Sequence, residues 1–112
     1  EHTQECHDFD DKYIGLVYGL GVCRHMAKLV NYLITNLNKQ NIQACSIDNR
    51  GHAWNYLRFK NGDNSYTYHR VDTYGVYKTQ EFNQDSMIND TREKCGYELN
   101  SELLDTLFIL SP

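Results

Sequence analysis

Two aromatic-rich segments on either side of a turn sequence constrain the fold of this chain most. Residues 52–59 (HAWNYLRF) and 66–71 (YTYHRV) are rich in aromatic and β-branched side chains, which favour extended strands. Between them lie residues 61–64 (NGDN), and an Asn-Gly step is a strong signal for a tight hairpin. The sequence therefore predicts an antiparallel hairpin in the second half of the chain.

A helical pattern precedes the hairpin. From Cys23 to about Asn38, apolar residues recur at steps of three and four, the period of an amphipathic helix. These residues are Met26, Leu29, Val30, Leu33, Ile34 and Leu37. We expect this helix to be the central helix of the core. Three glycines in residues 13–22 disfavour a helix there, so this segment is predicted to be a loop that approaches the cysteine.

The remaining elements complete the predicted fold. Residues 42–47 are expected to form a short strand, and Ser101 is expected to cap a final helix that reaches about Leu110. Residues 73–100 are polar and weakly periodic, so they predict no particular element. Helix, strands and helix in this order predict an α+β domain with an antiparallel sheet.

Length and charge limit the classes of function. We predict one domain over residues 1–112, with an acidic arm at residues 1–12. The net charge of −4 and the scattered basic residues argue against nucleic-acid binding. No apolar run approaches the roughly 20 residues that span a bilayer. Because the chain begins without Met, we leave open that it is one domain of a longer protein.

The cysteines do not indicate a metal site. The chain has four of them, Cys6, Cys23, Cys45 and Cys95, and no CxxC pair, so no structural zinc site is expected. The neighbouring Cys-His residues at 6–7 and 23–25 suit no common zinc spacing. We therefore expect no metal and no cofactor. Cys45 is predicted to be a core residue, and a Cys6–Cys95 disulfide stays open.

The predicted positions of Cys23, His52 and Asp72 suggest chemistry at Cys23. If Cys23 begins the helix, the free N–H groups and partial positive charge there would lower the pKa of its thiol and bind an oxyanion. If the hairpin is centred on Gly62, His52 lies directly opposite Asp72, which would let the carboxylate orient the imidazole. Cysteine, histidine and aspartate are the parts of a thiol acyl-transfer site. A small buried thiol is the plainer interpretation of Cys23.

The local sequences around these residues resemble a known superfamily. The strings GVCRHMA (21–27), GHAWNYL (51–57) and VDTY (71–74) resemble, in this order, three motifs of the transglutaminase-like superfamily. EFNQDSM (81–87) is similar to a weaker Phe-containing stretch of that family. The resemblance covers the chain from about Tyr13 to about Met87.

The resemblance implies a papain-like core, in which a cysteine-bearing helix packs on a small antiparallel sheet. It implies a catalytic triad with Cys23 as nucleophile, His52 as base and Asp72 as orienting acid. Trp54 matches the motif's tryptophan, for which packing behind the histidine is the main expected role. Together with Tyr18 and Gly21 of the approach segment, it is predicted to border the substrate.

Two features depart from the family. His52 follows Cys23 by only 29 positions, so the segment between them is compact, and Thr73 follows the aspartate where the family often has proline. No calcium-loop pattern is present, so we carry over neither calcium dependence nor crosslinking. The expected activity is hydrolysis of an amide bond in a protein or peptide substrate, as by a peptidase, deamidase or amidase. The alternative is a catalytically inactive binding or scaffolding module with the same fold.

Overall fold

The structure is a computed structural model, and it describes residues 12–37 and 41–109, with side chains from residue 22 onward. Within these ranges the chain forms a small α+β domain with one four-stranded antiparallel sheet and three helices. In chain order the elements are α1 (Lys12–Asn36), β1 (Ile42–Asp48), β2 (Ala53–Lys60), β3 (Tyr66–Val71), β4 (Gln80–Phe82), α2 (Gln84–Cys95) and α3 (Ser101–Ile109). The α+β prediction is therefore confirmed at this level.

The hairpin and the first strand lie where the sequence predicts them. The strands follow one another across the sheet in the order β1-β2-β3-β4, and each neighbouring pair is antiparallel. The turn closes through a hydrogen bond from the Asn61 N–H to the Ser65 carbonyl, and Asn64 adopts a φ of 68°. Asparagine tolerates this left-handed conformation, which explains its place in the turn.

The hairpin register differs from the predicted one. Asn55 pairs with Val71, so the hairpin is centred on Asp63 and continuing the register would set Trp54, not His52, opposite Asp72. The expected direct opposition is therefore wrong. The difference is two residues, and side chains two apart on a strand share a face. His52 and Asp72 thus become diagonal neighbours rather than residues on opposite faces.

The sheet has a helix layer on each side. One face packs against α2 and α3 in an aromatic core, and the opposite face packs against α1. The aromatic core consists mainly of Trp54, Tyr56, Tyr68, Phe82, Met87, Leu104 and Phe108. Cys45 belongs to this core and is fully buried, as predicted.

Helix α1 differs from its prediction in two respects. It begins at Lys12, so the predicted loop at residues 13–22 is wrong and tertiary context overrides the low helix propensity of its glycines. The apolar residues that the sequence predicted as its core face are also not the residues that are fully buried. Cys23, Ala27 and Asn31, four residues apart, face the sheet instead. Apolar side chains that stay 42–62% exposed are Leu29, Tyr32, Leu33 and Leu37.

Small side chains explain this orientation of α1. At Ala27 the helix backbone approaches the sheet so closely that the Asn55 amide donates a 2.8 Å hydrogen bond to the Ala27 carbonyl. Larger apolar residues on the buried face would hold the helix further away. Of the predicted apolar face, Leu29, Leu33 and Leu37 therefore stay exposed, whereas Met26, Val30 and Ile34 are half-buried.

Helix α2 lies in the segment for which the sequence predicted no element. Asn83 caps its first turn in a reciprocal capping box with Ser86, and Gly96 ends it with a φ of 77°. Its buried residues are Met87, Asp90 and Thr91, of which two are polar. Because its packing depends on polar contacts, it carries no clear apolar period.

The contacts of Asp90 hold α2 on the sheet. Its buried carboxylate accepts hydrogen bonds from Arg70 at 2.6 Å, from Lys94 at 2.7 Å and from the Tyr56 hydroxyl. Burial raises the pKa of Asp90, but the hydrogen bonds from Lys94, Tyr56 and Arg70 outweigh burial and hold this pKa below its usual value.

Two smaller features complete the description. The cap of α3 is Asn100, whose side chain accepts from the Leu103 N–H, rather than the predicted Ser101, which is the first helical residue. No helix in the described ranges is long and apolar enough to cross a membrane. Residues 1–11 of the predicted acidic arm lie outside the described residues, and Lys12 already belongs to α1.

The Asp90 contacts predict a specific loss of stability. Asp90→Asn should lower the free energy of unfolding at pH 7 by about 3 kcal/mol, because it leaves Arg70 buried without its anion. The exposed Glu93→Gln on the same helix removes the same charge and should change this free energy by less than about 0.5 kcal/mol. Urea unfolding of both variants measures the difference. Equal effects of the two substitutions would contradict the assignment.

The same carboxylate predicts a pH dependence. Because the folded-state pKa of Asp90 is lowered, its contribution is complete above the unfolded-state value of about 3.9 and is lost as pH falls through the folded-state pKa. The stability gap between the wild type and Asp90→Asn should therefore narrow below about pH 4. A gap that stays constant from pH 7 to pH 2.5 would show that Asp90 does not titrate in this way.

Candidate active site

The structure brings the three predicted catalytic residues together. The imidazole Nδ1 of His52 lies 3.1 Å from the Cys23 Sγ, and its Nε2 lies 2.6 Å from Oδ2 of Asp72. All three residues are buried. An ionised carboxylate only accepts hydrogen bonds, so the neutral ring carries its hydrogen on Nε2. Nδ1 then faces the thiol with its lone pair.

Backbone N–H groups fix the Asp72 carboxylate. The turn that follows β3 donates from the Tyr74 N–H to Oδ1 at 3.0 Å and from the Tyr77 N–H to Oδ2 at 2.9 Å. The Gly75 N–H also bonds to the Asp72 carbonyl at 3.0 Å, and Gly75 has a φ of 70°, which favours glycine. The carboxylate is therefore oriented by the chain segment next to it.

Aromatic rings surround the imidazole. Trp54 stacks on His52 with the ring centroids 5.8 Å apart and 20° between the ring planes. Tyr77 meets the same ring edge-on at 5.6 Å. Trp54 is 1% exposed, which agrees with the packing role expected for it and leaves it almost no surface for a substrate. These contacts restrict the rotation of His52.

The position of Cys23 on its helix differs from the prediction. Because α1 begins at Lys12, Cys23 lies in the middle of the helix and not at its N-terminus. The predicted help from free N–H groups and the helix dipole is therefore absent at this site. Instead, burial raises the pKa of the Cys23 thiol and the charge of Asp72 raises it further, whereas a hydrogen bond from the Ala53 backbone lowers it.

The other predicted site residues are only partly placed. Tyr18 and Gly21 lie within α1, and the structure describes only the backbone at these two positions. Cys23, Cys45 and Cys95 are free thiols, and Cys6 is not among the described residues, so the open disulfide is not tested. The described ranges contain no group of three or more His, Cys, Asp and Glu residues that could hold a metal ion.

Asn49 is a residue of the site that the sequence reasoning missed. Its Oδ1 accepts from the N–H groups of Gly51 and His52, both at 2.9 Å. Its Nδ2 donates to the Lys94 carbonyl at 2.9 Å and to the Tyr77 hydroxyl at 3.3 Å. Asn49 therefore connects the turn that carries the imidazole to the C-terminal end of α2. The signal was the turn sequence of residues 48–51, in which asparagine commonly bonds to the backbone two residues on.

The comparisons with known proteins identify no relative. No family model matches the chain, and neither the search of curated proteins nor the search of solved structures finds a match.

The role of Asn49 predicts a local change in amide exchange. Asn49→Ala should speed hydrogen exchange at the His52 amide by about 5-fold, since one hydrogen bond contributes roughly 1 kcal/mol. Asn49→Asp keeps the accepting oxygen and should keep most of the protection. NMR-detected exchange measures both variants. Protection that is lost equally in both would contradict the positioning role.

Proposed function

We propose that the protein is a cysteine-dependent acyl-transfer enzyme that cleaves amide bonds, with Cys23 as nucleophile, His52 as general base and acid, and Asp72 as the orienting carboxylate. The observation that carries the proposal is the continuous contact from Sγ through both imidazole nitrogens to the Asp72 carboxylate. The motif resemblance around these three residues supports the same assignment. A papain-like core of the transglutaminase-like kind is part of this proposal.

The first half of the reaction forms a thioester. Nδ1 of His52 takes the proton of the Cys23 thiol as the sulfur attacks the amide carbonyl carbon. The ring is then an imidazolium, and the Asp72 carboxylate beside Nε2 stabilises its charge. When the tetrahedral intermediate collapses, Nδ1–H protonates the departing nitrogen, and the amine or ammonia leaves.

The second half releases the acyl group. A water molecule enters, His52 removes its proton, and the resulting hydroxide attacks the thioester carbonyl. The carbon–sulfur bond breaks, the sulfur regains its proton from His52, and a carboxylic acid departs. The enzyme returns to its starting state. Hydrolysis is favoured over amine transfer because water needs no second binding site.

The raised pKa of Cys23 favours one of two forms of this mechanism. A resting thiolate–imidazolium pair requires a thiol that ionises easily, whereas burial and the Asp72 charge raise the pKa here. We therefore place proton transfer to His52 within the attack step. The Ala53 N–H donates a hydrogen bond to the sulfur, and this bond stabilises negative charge on the sulfur during the attack.

The second candidate is a binding module that keeps the fold without catalysis. One observation favours it: Cys23 is 1% exposed, and a nucleophile must be reached by its substrate. In the enzyme, the groups that cover the sulfur must move when substrate binds. In a binding module, Cys23 would act as a small apolar side chain between α1 and Ala53.

Removal of the thiol separates these two functions. Cys23→Ala should abolish turnover while the fold survives, because the nucleophile is lost and a side chain of nearly the same size remains. Turnover is measured as amine or ammonia released from a library of end-blocked peptides, and folding by thermal melting. Cys45→Ala, the matched control, removes a buried thiol of the aromatic core outside the triad and should keep turnover. Cleavage that persists in Cys23→Ala would contradict the proposal.

The triad also predicts an order of effects. His52→Ala should lower kcat by about 10²–10⁴-fold because it removes the general base. Asp72→Asn should lower it less, because an amide oxygen can still accept hydrogen bonds at that position. The same peptide assay measures both variants. Full activity of Asp72→Asn would remove Asp72 from the mechanism.

A further inference from the structure

A concave region lies beside the segments that carry the proposed active site. It is a cavity of about 650 Å³ between the turn at residues 48–51, the Arg24 side chain of α1 and the end of α2. Two of its lining residues, Arg24 and Gly51, are the chain neighbours of Cys23 and His52. A ligand in this cavity would therefore lie beside the segments that carry the thiol and the imidazole.

The cavity concentrates positive charge in an acidic chain. Arg24, Arg50 and Lys94 line it together with a single carboxylate, Asp48, whereas the whole chain has a net charge of −4. Such a local excess of one sign attracts ligands of the opposite sign. The cavity is thus positive although the protein is negative.

The three cations differ in how far they are neutralised. Arg24 bonds to Asp48 at 3.1 Å and Lys94 to Asp90 at 2.7 Å. Arg50 is exposed and makes no ion pair with any residue in the described part of the chain. Its guanidinium has five N–H donors in a planar fork, which suits two-point binding of a carboxylate. Arg50 is therefore the cation most available to an incoming anion.

The walls of the cavity are fixed independently of any ligand. Asn49 joins the turn to the Lys94 carbonyl, and the Tyr97 hydroxyl donates to the Asp48 carbonyl at 3.2 Å. Asp90 holds Lys94 against α2. The turn that carries Arg50 is thus held by hydrogen bonds at Asp48 and Asn49, which lowers the entropy cost of ordering its backbone on binding.

We propose that this cavity binds a carboxylate of the substrate, so that the enzyme selects peptides with an acidic residue near the amide bond that it cleaves. The choice of carboxylate rests on the proposed function, since the anionic groups of unmodified peptides are carboxylates. The cavity itself is defined by its own residues and requires no catalysis.

Binding is tested with two probes of equal shape. Acetyl-Glu-amide and acetyl-Gln-amide differ in charge and hardly in size, and NMR titration of the ¹⁵N-labelled chain follows the amides of Gly51, Lys94 and Tyr97. We expect saturable shifts with the glutamate probe and a Kd at least fivefold weaker for the glutamine probe. Arg50→Gln should abolish this preference. Arg92→Gln, which removes the same charge from an exposed site outside the cavity, should preserve it.

The outcomes separate this inference from the proposed function, because the titration does not depend on turnover. Equal affinity for both probes, or a preference that survives Arg50→Gln, would overturn the carboxylate site. A charge preference in a protein that cleaves no peptide would uphold the site and overturn the enzyme. In an active enzyme, Arg50→Gln should lower kcat/KM for Glu-containing peptides and leave Gln-containing peptides unaffected.

Discussion

The buried Asp90 carboxylate is the contact on which the geometry of the candidate site depends. It binds Tyr56 and Arg70 of the sheet and Lys94 of α2, so it fixes the helix on the strands. The Lys94 carbonyl then accepts from Asn49, whose oxygen holds the backbone of His52. His52 is thus held at its backbone by this polar network and at its ring by Asp72. A buried network of this kind contributes to stability only when each member has its partners.

The elements with strong local signals could be predicted from the sequence, and those that depend on tertiary contacts could not. The hairpin followed from the turn at residues 61–64 and from strand-forming side chains, but its register did not, because a shift of one residue in the turn centre moves every pair by two. Helix α2 was missed because it packs through Asp90 and Thr91 rather than through an apolar stripe. Its capping residues, Asn83 and Gly96, were readable signals.

The candidate site was likewise predictable only in part. The meeting of Cys23, His52 and Asp72 was predicted from motifs and strand positions, and the structure brings these three residues together. The predicted electrostatic effect on the Cys23 thiol was wrong. A thiol in the middle of α1 gains nothing from the helix N-terminus, and burial raises its pKa. Sequence patterns specify which residue types recur at a site, whereas burial and hydrogen bonding are properties of the folded chain.

The most direct measurement is the rate at which iodoacetamide alkylates each cysteine, followed by peptide mass spectrometry from pH 6 to pH 9 in the wild type and in His52→Ala. If His52 accepts the thiol proton, Cys23 should react at pH 7 at least about 10-fold faster in the wild type than in the variant, the low end of what general-base catalysis contributes. Cys95, whose pKa is raised to about 11, should react slowly and equally in both. An equal rate at Cys23 in the two proteins would contradict the account.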